Sequence, residues 1–174
     1  MPEYRRAHIT GGTCFVTVAL ADRGSALLVE RIDDLRRAWA ATIRDHPLRC
    51  DAMVILPDHL HAVWTLPPGG SAYSERWRKI KHRFSRYVGT KGPSGPSKRA
   101  KHETGLWQRR FWEHAIRDTE DYATHVAYCW GNPVRHGLVA RAADWPYSSL
   151  HRDIRRGVVE REWAERSADG ACRV

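Results

Sequence analysis

Cysteine is scarce and scattered. Cys14, Cys50, Cys129 and Cys172 stand far apart with no Cys-x-x-Cys pair, so neither a zinc knuckle nor a disulfide scaffold is suggested. Long apolar runs are missing too. None approaches the ~20 residues of a membrane span, and no signal-peptide pattern opens the chain. These absences lead to the expectation of a reduced, cytoplasmic setting with no membrane partner. Acidic residues are outnumbered, 20 Asp+Glu against 29 Lys+Arg, which leaves a formal net charge of +9. Such an excess suits a polyanionic partner but is silent about fold. Against these shortages stand eight tryptophans in 174 residues. Guanidinium groups hold phosphates and aromatic rings stack on bases, so the mixture suits nucleic acid. It equally describes a basic protein whose tryptophans are core. The length favours one domain with a substantial core.

The most informative stretch is Asp58-His59-Leu60-His61, inside an apolar run from Asp51 to Leu66 broken by Pro57-Asp58. On a strand, residues two apart share a face. His59 and His61 would therefore project side by side, with Leu60 in the opposite layer. Two imidazoles so placed can supply part of a divalent-metal shell; they can also be ordinary histidines on a half-buried strand.

In chain order, residues 1–12 combine Tyr4, Arg5, Arg6, Gly11 and Gly12, which fits an arm along a nucleic-acid backbone or a frayed terminus. Residues 13–20 are rich in β-branched and aromatic types and read as a first strand. A helix is predicted over 33–44, capped by Asp33 or Asp34, with Leu35, Ala38, Trp39, Thr42 and Ile43 on its buried stripe and an end at His46-Pro47. Strands 48–56 and 59–66 follow, antiparallel across the turn at Pro57-Asp58. A second helix, 73–88, buries Trp77, Ile80, Phe84 and Val88. Around that stripe stand Arg76, Arg78, Lys79, Lys81, His82, Arg83 and Arg86, with Glu75 as the sole acid. Charged faces usually mix signs; one so nearly cationic is expected to meet DNA, with Lys79 and Arg83 on its solvent side. Residues 89–105 form a Gly/Pro/Ser-rich basic loop that either clamps DNA or simply connects. A last strand is expected near 111–116.

A second constellation follows. Asp118 caps a helix whose apolar stripe carries Tyr122, Val126, Cys129 and Trp130. Tyr128 lies off that stripe, and Asn132 is one turn further on the same side. A tyrosine with an amide at i+4 looks placed for chemistry, although an exposed helical tyrosine gives the same wheel. Pro133 suggests that Asn132 is at or past the helix end.

Taken in order, Pro57-Asp58-His59-Leu60-His61, the stretch Trp107 to His114, Asp121-Tyr122, Tyr128, Asn132-Pro133-Val134 and the stretch Asp144 to Ser149 resemble the REP-associated tyrosine transposases. These are relatives of the single-tyrosine transposases of small insertion sequences. Glu3 to Arg6, Gly11-Gly12 and Trp64 to Pro67 share the likeness, which runs from residue 3 to about 160. The resemblance implies an α+β His-hydrophobic-His nuclease: a ferredoxin-like antiparallel sheet with packed helices as one domain over 1–160, and a tail over 161–174. It implies Tyr128 as nucleophile and His59, His61 and Asn132 as ligands of a divalent cation. Two imidazoles and an amide suit Mg²⁺ or Mn²⁺ better than structural zinc, which usually recruits thiolates. The implied activity is cleavage and rejoining of single-stranded, REP-like imperfect-palindromic hairpin DNA through a 5′-phosphotyrosine, by a nucleoid-associated monomer or homodimer. Tyr4, Arg5, Arg6 and the cationic helix are the expected DNA contacts. Two alternatives stay open, a hairpin-binding protein on the same scaffold with little or no cleavage and an RNA-binding module. Tyr122 is the rival nucleophile, and His125 a candidate proton acceptor.

Overall fold

A computed structural model describes residues 11–70, 73–89 and 105–162. Tyr4, Arg5 and Arg6, the loop interior and nearly all of the expected tail lie outside them. The first strand, β1 (Thr13–Ala19), is followed by α1 (Leu27–Glu30) and α2 (Ile32–Asp45), then by β2 (Arg49–Ile55) and β3 (His59–Thr65). Next come α3 (Tyr73–Val88), β4 (Trp112–Ala115), α4 (Thr119–Arg135), a 3₁₀ turn (Ala142–Asp144) and α5 (Leu150–Arg155). All strand pairs are antiparallel, in the order β2-β3-β1-β4. This is the expected α+β, ferredoxin-like arrangement.

The sheet is covered on both faces. Val16, Val18, Leu20, Leu60, Ala62 and Trp64 point toward α2 and α3, where Trp64 stacks on Trp77 at 4.2 Å. Phe15, Ala52, Val54 and Val63 point the other way, toward Val126, Cys129 and Trp130 of α4. Six of the seven β3 residues are buried, so the strand reads as a continuous apolar run rather than as an alternating one.

The turn at Pro57-Asp58 pairs β2 with β3, the Leu56 amide donating to the His59 carbonyl at 2.8 Å. A bulge between Cys50 and Ala52 sets Asp51 out of register with β3. There its carboxylate accepts from Thr65 Oγ1 (2.6 Å) and the Arg49 guanidinium (2.6 Å). The segment after the 3₁₀ turn lies along the outer edge of β2. Ile55 N donates to Tyr147 O, Ser149 N donates to Met53 O, and Trp145 Nε1 donates to Ile55 O, each at 2.8–2.9 Å.

Two local expectations are corrected. Neither Asp33 nor Asp34 caps α2: the cap residue is Arg31, without a side-chain cap bond. The reason is α1, which runs into α2 across Arg31 alone and leaves no extended residue to cap. The two acids sit in the first turn instead, where the helix dipole favours them. The second correction concerns α3, whose cations are answered by more than Glu75. Arg76 is buried and donates to the carbonyls of His46 and Pro47 (3.2 and 2.9 Å). Lys79 meets His46 Nε2 as well as Glu75, and Arg83 binds Asp45 (2.6 Å) and Thr42 Oγ1 (2.7 Å). These three fasten α3 to the carbonyl end of α2, where positive charge is favoured, so Lys79 and Arg83 do not form the solvent side. Lys81 donates to Gln108 O (3.0 Å) over the rings of Trp107 and Phe111, and burial pulls its pKa down to about 8. The exposed stripe is Arg78, His82 and Arg86.

Asp118 does cap α4, its carboxylate accepting from the Asp121 amide at 2.8 Å. Asp118→Ala should lower stability by about 1 kcal/mol, measured by urea unfolding. Asp118→Asn should cost much less, and equal losses would show that the cap bond contributes nothing.

Candidate active site on the open face of β3 and α4

The site begins with the parity of β3. His59 and His61 share a face with Val63 and look toward α4. Both are buried, each 5% exposed. His61 stands opposite Thr17, whose Oγ1 lies 2.8 Å from its Nδ1. Its Nε2 is buried with no hydrogen-bond partner among the described residues. Burial, then the neighbouring His59, His136 and Arg23, push the His61 pKa down to about 3. The ring is therefore neutral, with a lone pair to offer once Nδ1 carries the proton. His59 Nδ1 lies 2.6 Å from Asp58 Oδ1, and Arg23 Nε holds the other Asp58 oxygen at 2.9 Å. A carboxylate on Nδ1 keeps the proton there and frees Nε2, which is how ligating imidazoles are commonly oriented.

Tyr128 faces this pair. Its ring lies edge-on to His61 (5.2 Å) and to Phe15 (5.7 Å), and the Arg135 guanidinium sits over it at 5.3 Å. Two turns later the ring of His136 lies 5.1 Å from His59. The stripe Tyr128, Asn132, His136 thus runs alongside His61 and His59, and Asn132 is its middle member. Asn132 is fully buried, and neither its Oδ1 nor its Nδ2 has a partner among the described residues. It is also helical, because α4 continues through Pro133 to Arg135. That corrects the expectation drawn from Pro133. The helix stops at Gly137, in the left-handed region at φ 67°.

Orphaned buried polar atoms are rare. Here His61 Nε2 and the Asn132 amide are orphaned on elements that face each other, beside an oriented His59. Two neutral imidazoles and an amide oxygen are a donor set that fits a divalent cation.

Tyr122 is elsewhere. Its Oη donates to Asp51 at 3.3 Å, and burial with that carboxylate raises its pKa. His125 Nδ1 lies 2.8 Å from Asp121 O and 3.0 Å from its carboxylate, and the ring packs on Phe15 and His114 rather than on Tyr128. His114, Asp121 and His125 form a second cluster, with ligand-type atoms within 4.8 Å of one another. Its core is Asp121, held well below the usual carboxylate range by His114 and then Arg117. Sequence reasoning missed this cluster, together with Thr17, Arg23, Arg135 and His136. Only the i, i+4 spacing of Asp121 and His125, and of Asn132 and His136, hinted at any of them. Among the described residues, no helix is long and apolar enough to cross a membrane.

A scan of protein-family models finds no match. Among curated proteins, the chain is 46% identical over 164 residues to the REP-associated tyrosine transposase of Escherichia coli (strain K12), covering 94% of this chain and 92% of that protein. It is 40% identical to a putative REP-associated tyrosine transposase of Haemophilus influenzae, covering 94% and 93%. A solved REP-associated tyrosine transposase bound to a REP hairpin superposes with a TM-score of 0.85 at 44% identity, over 100% of this chain and 98% of that one. With the tyrosine, histidine pair and amide so arranged, and relatives this similar over nearly their whole length, the chain belongs to the REP-associated tyrosine transposases.

Proposed function

We propose that this protein cleaves and rejoins single-stranded DNA at REP-like imperfect-palindromic hairpins, with Tyr128 as nucleophile. The observation that supports the proposal is the packing of Tyr128 edge-on to His61 beside His59, with the buried, unpartnered amide of Asn132 one helical turn on from Tyr128. Relatives named for this activity, one of them solved with a REP hairpin, support the substrate class.

A phenol is a poor nucleophile until its proton leaves. Tyr128 Oη attacks the scissile phosphorus in line and expels the 3′-hydroxyl of the upstream strand, forming a 5′-phosphotyrosine. One phosphodiester replaces another, so a different 3′-hydroxyl can reverse the step without ATP. His59, His61 and Asn132 would hold a divalent cation, Mg²⁺ or Mn²⁺, which when bound neutralises charge on the phosphate oxygens. Asp58 and Thr17 fix the two imidazoles. Arg135, over the Tyr128 ring, is placed to meet the phosphate.

The test is trapping on labelled hairpins. A 3′ label should become protein-linked and survive SDS, while a 5′ label should appear on a shorter free strand. No linked product at any hairpin would leave only a DNA-binding protein on this scaffold.

DNA contact by α3 is part of this reading, with a different division of labour among its cations. Arg78, held only by a 3.8 Å pairing with Glu75, and Arg86 are exposed and can meet phosphates; Arg76, Lys79 and Arg83 are engaged with α2. This helix covers the face of the sheet opposite His61. A hairpin touching both passes the β4 side, where Lys81, Arg109 and Arg110 stand. Arg78→Ala/Arg86→Ala should flatten the slope of log K against log salt by roughly one to two units. It should weaken cognate and scrambled hairpins alike, since phosphate contacts carry no base code. An unchanged slope in a salt titration removes α3 from the interface. Sequence discrimination then falls to other groups, with Tyr4, Arg5 and Arg6 the first to examine. We further propose that residues 1–160 act as one unit, nucleoid-associated through DNA, as monomer or homodimer.

A further inference from the structure

Trp112 breaks the pattern of the other aromatic side chains. At 52% exposure it is the only exposed Phe, Tyr or Trp ring among the described residues, on a short edge strand where a bare apolar surface is a liability. Its position is set by register. Trp112 pairs with Thr17, and Thr17 pairs with His61, so the three lie in one row on one face. Two strand spacings separate Trp112 from His61, about 10 Å.

The indole is braced from within. It lies parallel to His114 at 6.1 Å and 6°, and His114 stacks on His125 at 4.7 Å. Asp121 ties both imidazoles and Arg117 together, through His114 Nε2 (2.8 Å), His125 Nδ1 (3.0 Å) and Arg117 Nε (3.3 Å). The edge of Phe15 closes a further side at 5.6 Å, and Phe15 also touches Tyr128 and His61. A ring held this way keeps its orientation while much of its surface stays open. Cations lie close to it in the chain: Arg109 and Arg110 precede it on an exposed turn, and Arg117, bonded to the supporting Asp121, has a side chain 75% exposed. A braced exposed ring in a strongly basic stretch, on the face that carries His61 and Tyr128, matches the surface that single-stranded nucleic acid uses.

We infer that Trp112 is a stacking platform for one unpaired base of the strand whose phosphodiester lies at Tyr128. The inference rests on the nuclease reading above and adds a subsite to it. The His114–Asp121–His125 cluster is then the support of that platform.

Abasic scanning tests it. Hairpins carrying one abasic site at each unpaired position are bound, in EDTA, to wild type, Trp112→Ala and Trp112→Phe. For wild type, one abasic position should weaken binding about 5- to 150-fold. Trp112→Ala should bind the intact hairpin weaker by a similar factor and show no further loss at that position; Trp112→Phe should keep most of the affinity. Abasic penalties that are the same for wild type and Trp112→Ala at every position overturn the platform. Thermal melting of both variants at the wild-type temperature shows that the fold is intact. The 3′-label trapping assay, run on the same oligonucleotides, separates the two readings. Coupling without a linked product keeps the platform and sinks the nuclease, whereas a linked product without coupling does the reverse.

Discussion

Tyr128→Phe leaves no protein-linked DNA. Loss of the attacking oxygen removes the covalent step outright, and a fall on the order of 10⁴-fold or more in cleavage is expected for a nucleophile. Affinity for the hairpin should stay within about twofold, because each 1.4 kcal/mol is tenfold and no packing is lost. The phenylalanine ring keeps its edge contacts with His61 and Phe15 and its place under Arg135. Parallel gel-shift and SDS-trapping measurements give both values. Tyr122→Phe is the control. It loses only a 3.3 Å bond to Asp51, on the order of 1 kcal/mol of stability, and should still form the adduct. If Tyr122→Phe abolishes the linked product and Tyr128→Phe does not, the nucleophile has been misassigned.

The second large effect concerns the cation. His61→Ala and His59→Ala should each lose divalent-dependent cleavage, and each should lose the rise in melting temperature that MnCl₂ gives the wild type. Binding to the folded state alone stabilises it, by about 2.7 kcal/mol at a hundredfold excess over Kd. Asn132→Ala should show a milder loss of cleavage, an amide being the weakest donor of the three. Asn132→Leu separates ligation from packing. The Asn132 amide is buried with two unpartnered polar atoms, and an apolar side chain of similar size removes that penalty. The variant should therefore melt at or above the wild-type temperature in EDTA and yet gain less from MnCl₂. Full cleavage by His61→Ala in EDTA would eliminate the cation from the reaction.

The parts of this site that were legible in the chain are those governed by local periodicity. A two-residue spacing put His59 and His61 on one face, and a four-residue spacing stacked Asn132 on Tyr128. The α3 bounds, Tyr73–Val88, followed from its apolar stripe. What stayed hidden depends on contacts between distant segments. Arg76, Lys79 and Arg83 look like solvent-facing cations until the C-terminal end of α2 lies against them. Asn132 looks like a helix terminus because Pro133 lacks an amide hydrogen, yet packing carries α4 one turn further. Thr17 and Arg23 support the histidines from 44 and 36 residues away, and no motif announces a side chain that acts by orienting another. Trp112 is a similar case, since nothing in Phe111-Trp112-Glu113 says which of these rings the fold leaves open.

The two edges of the sheet are treated differently, and this limits how copies of the chain can associate. The chain's own segment Trp145–Ser149 occupies the outer side of β2, so no foreign strand can add there. Among the described residues nothing pairs with the outer side of β4. Among the described residues, strand addition therefore has one available side. Two copies meeting head to head across β4 would use up that side on both and close as a symmetric pair, whereas an open filament needs a second edge. Such a pair would form beside Trp112, so a copy docked there and a strand of DNA would compete for the same ground.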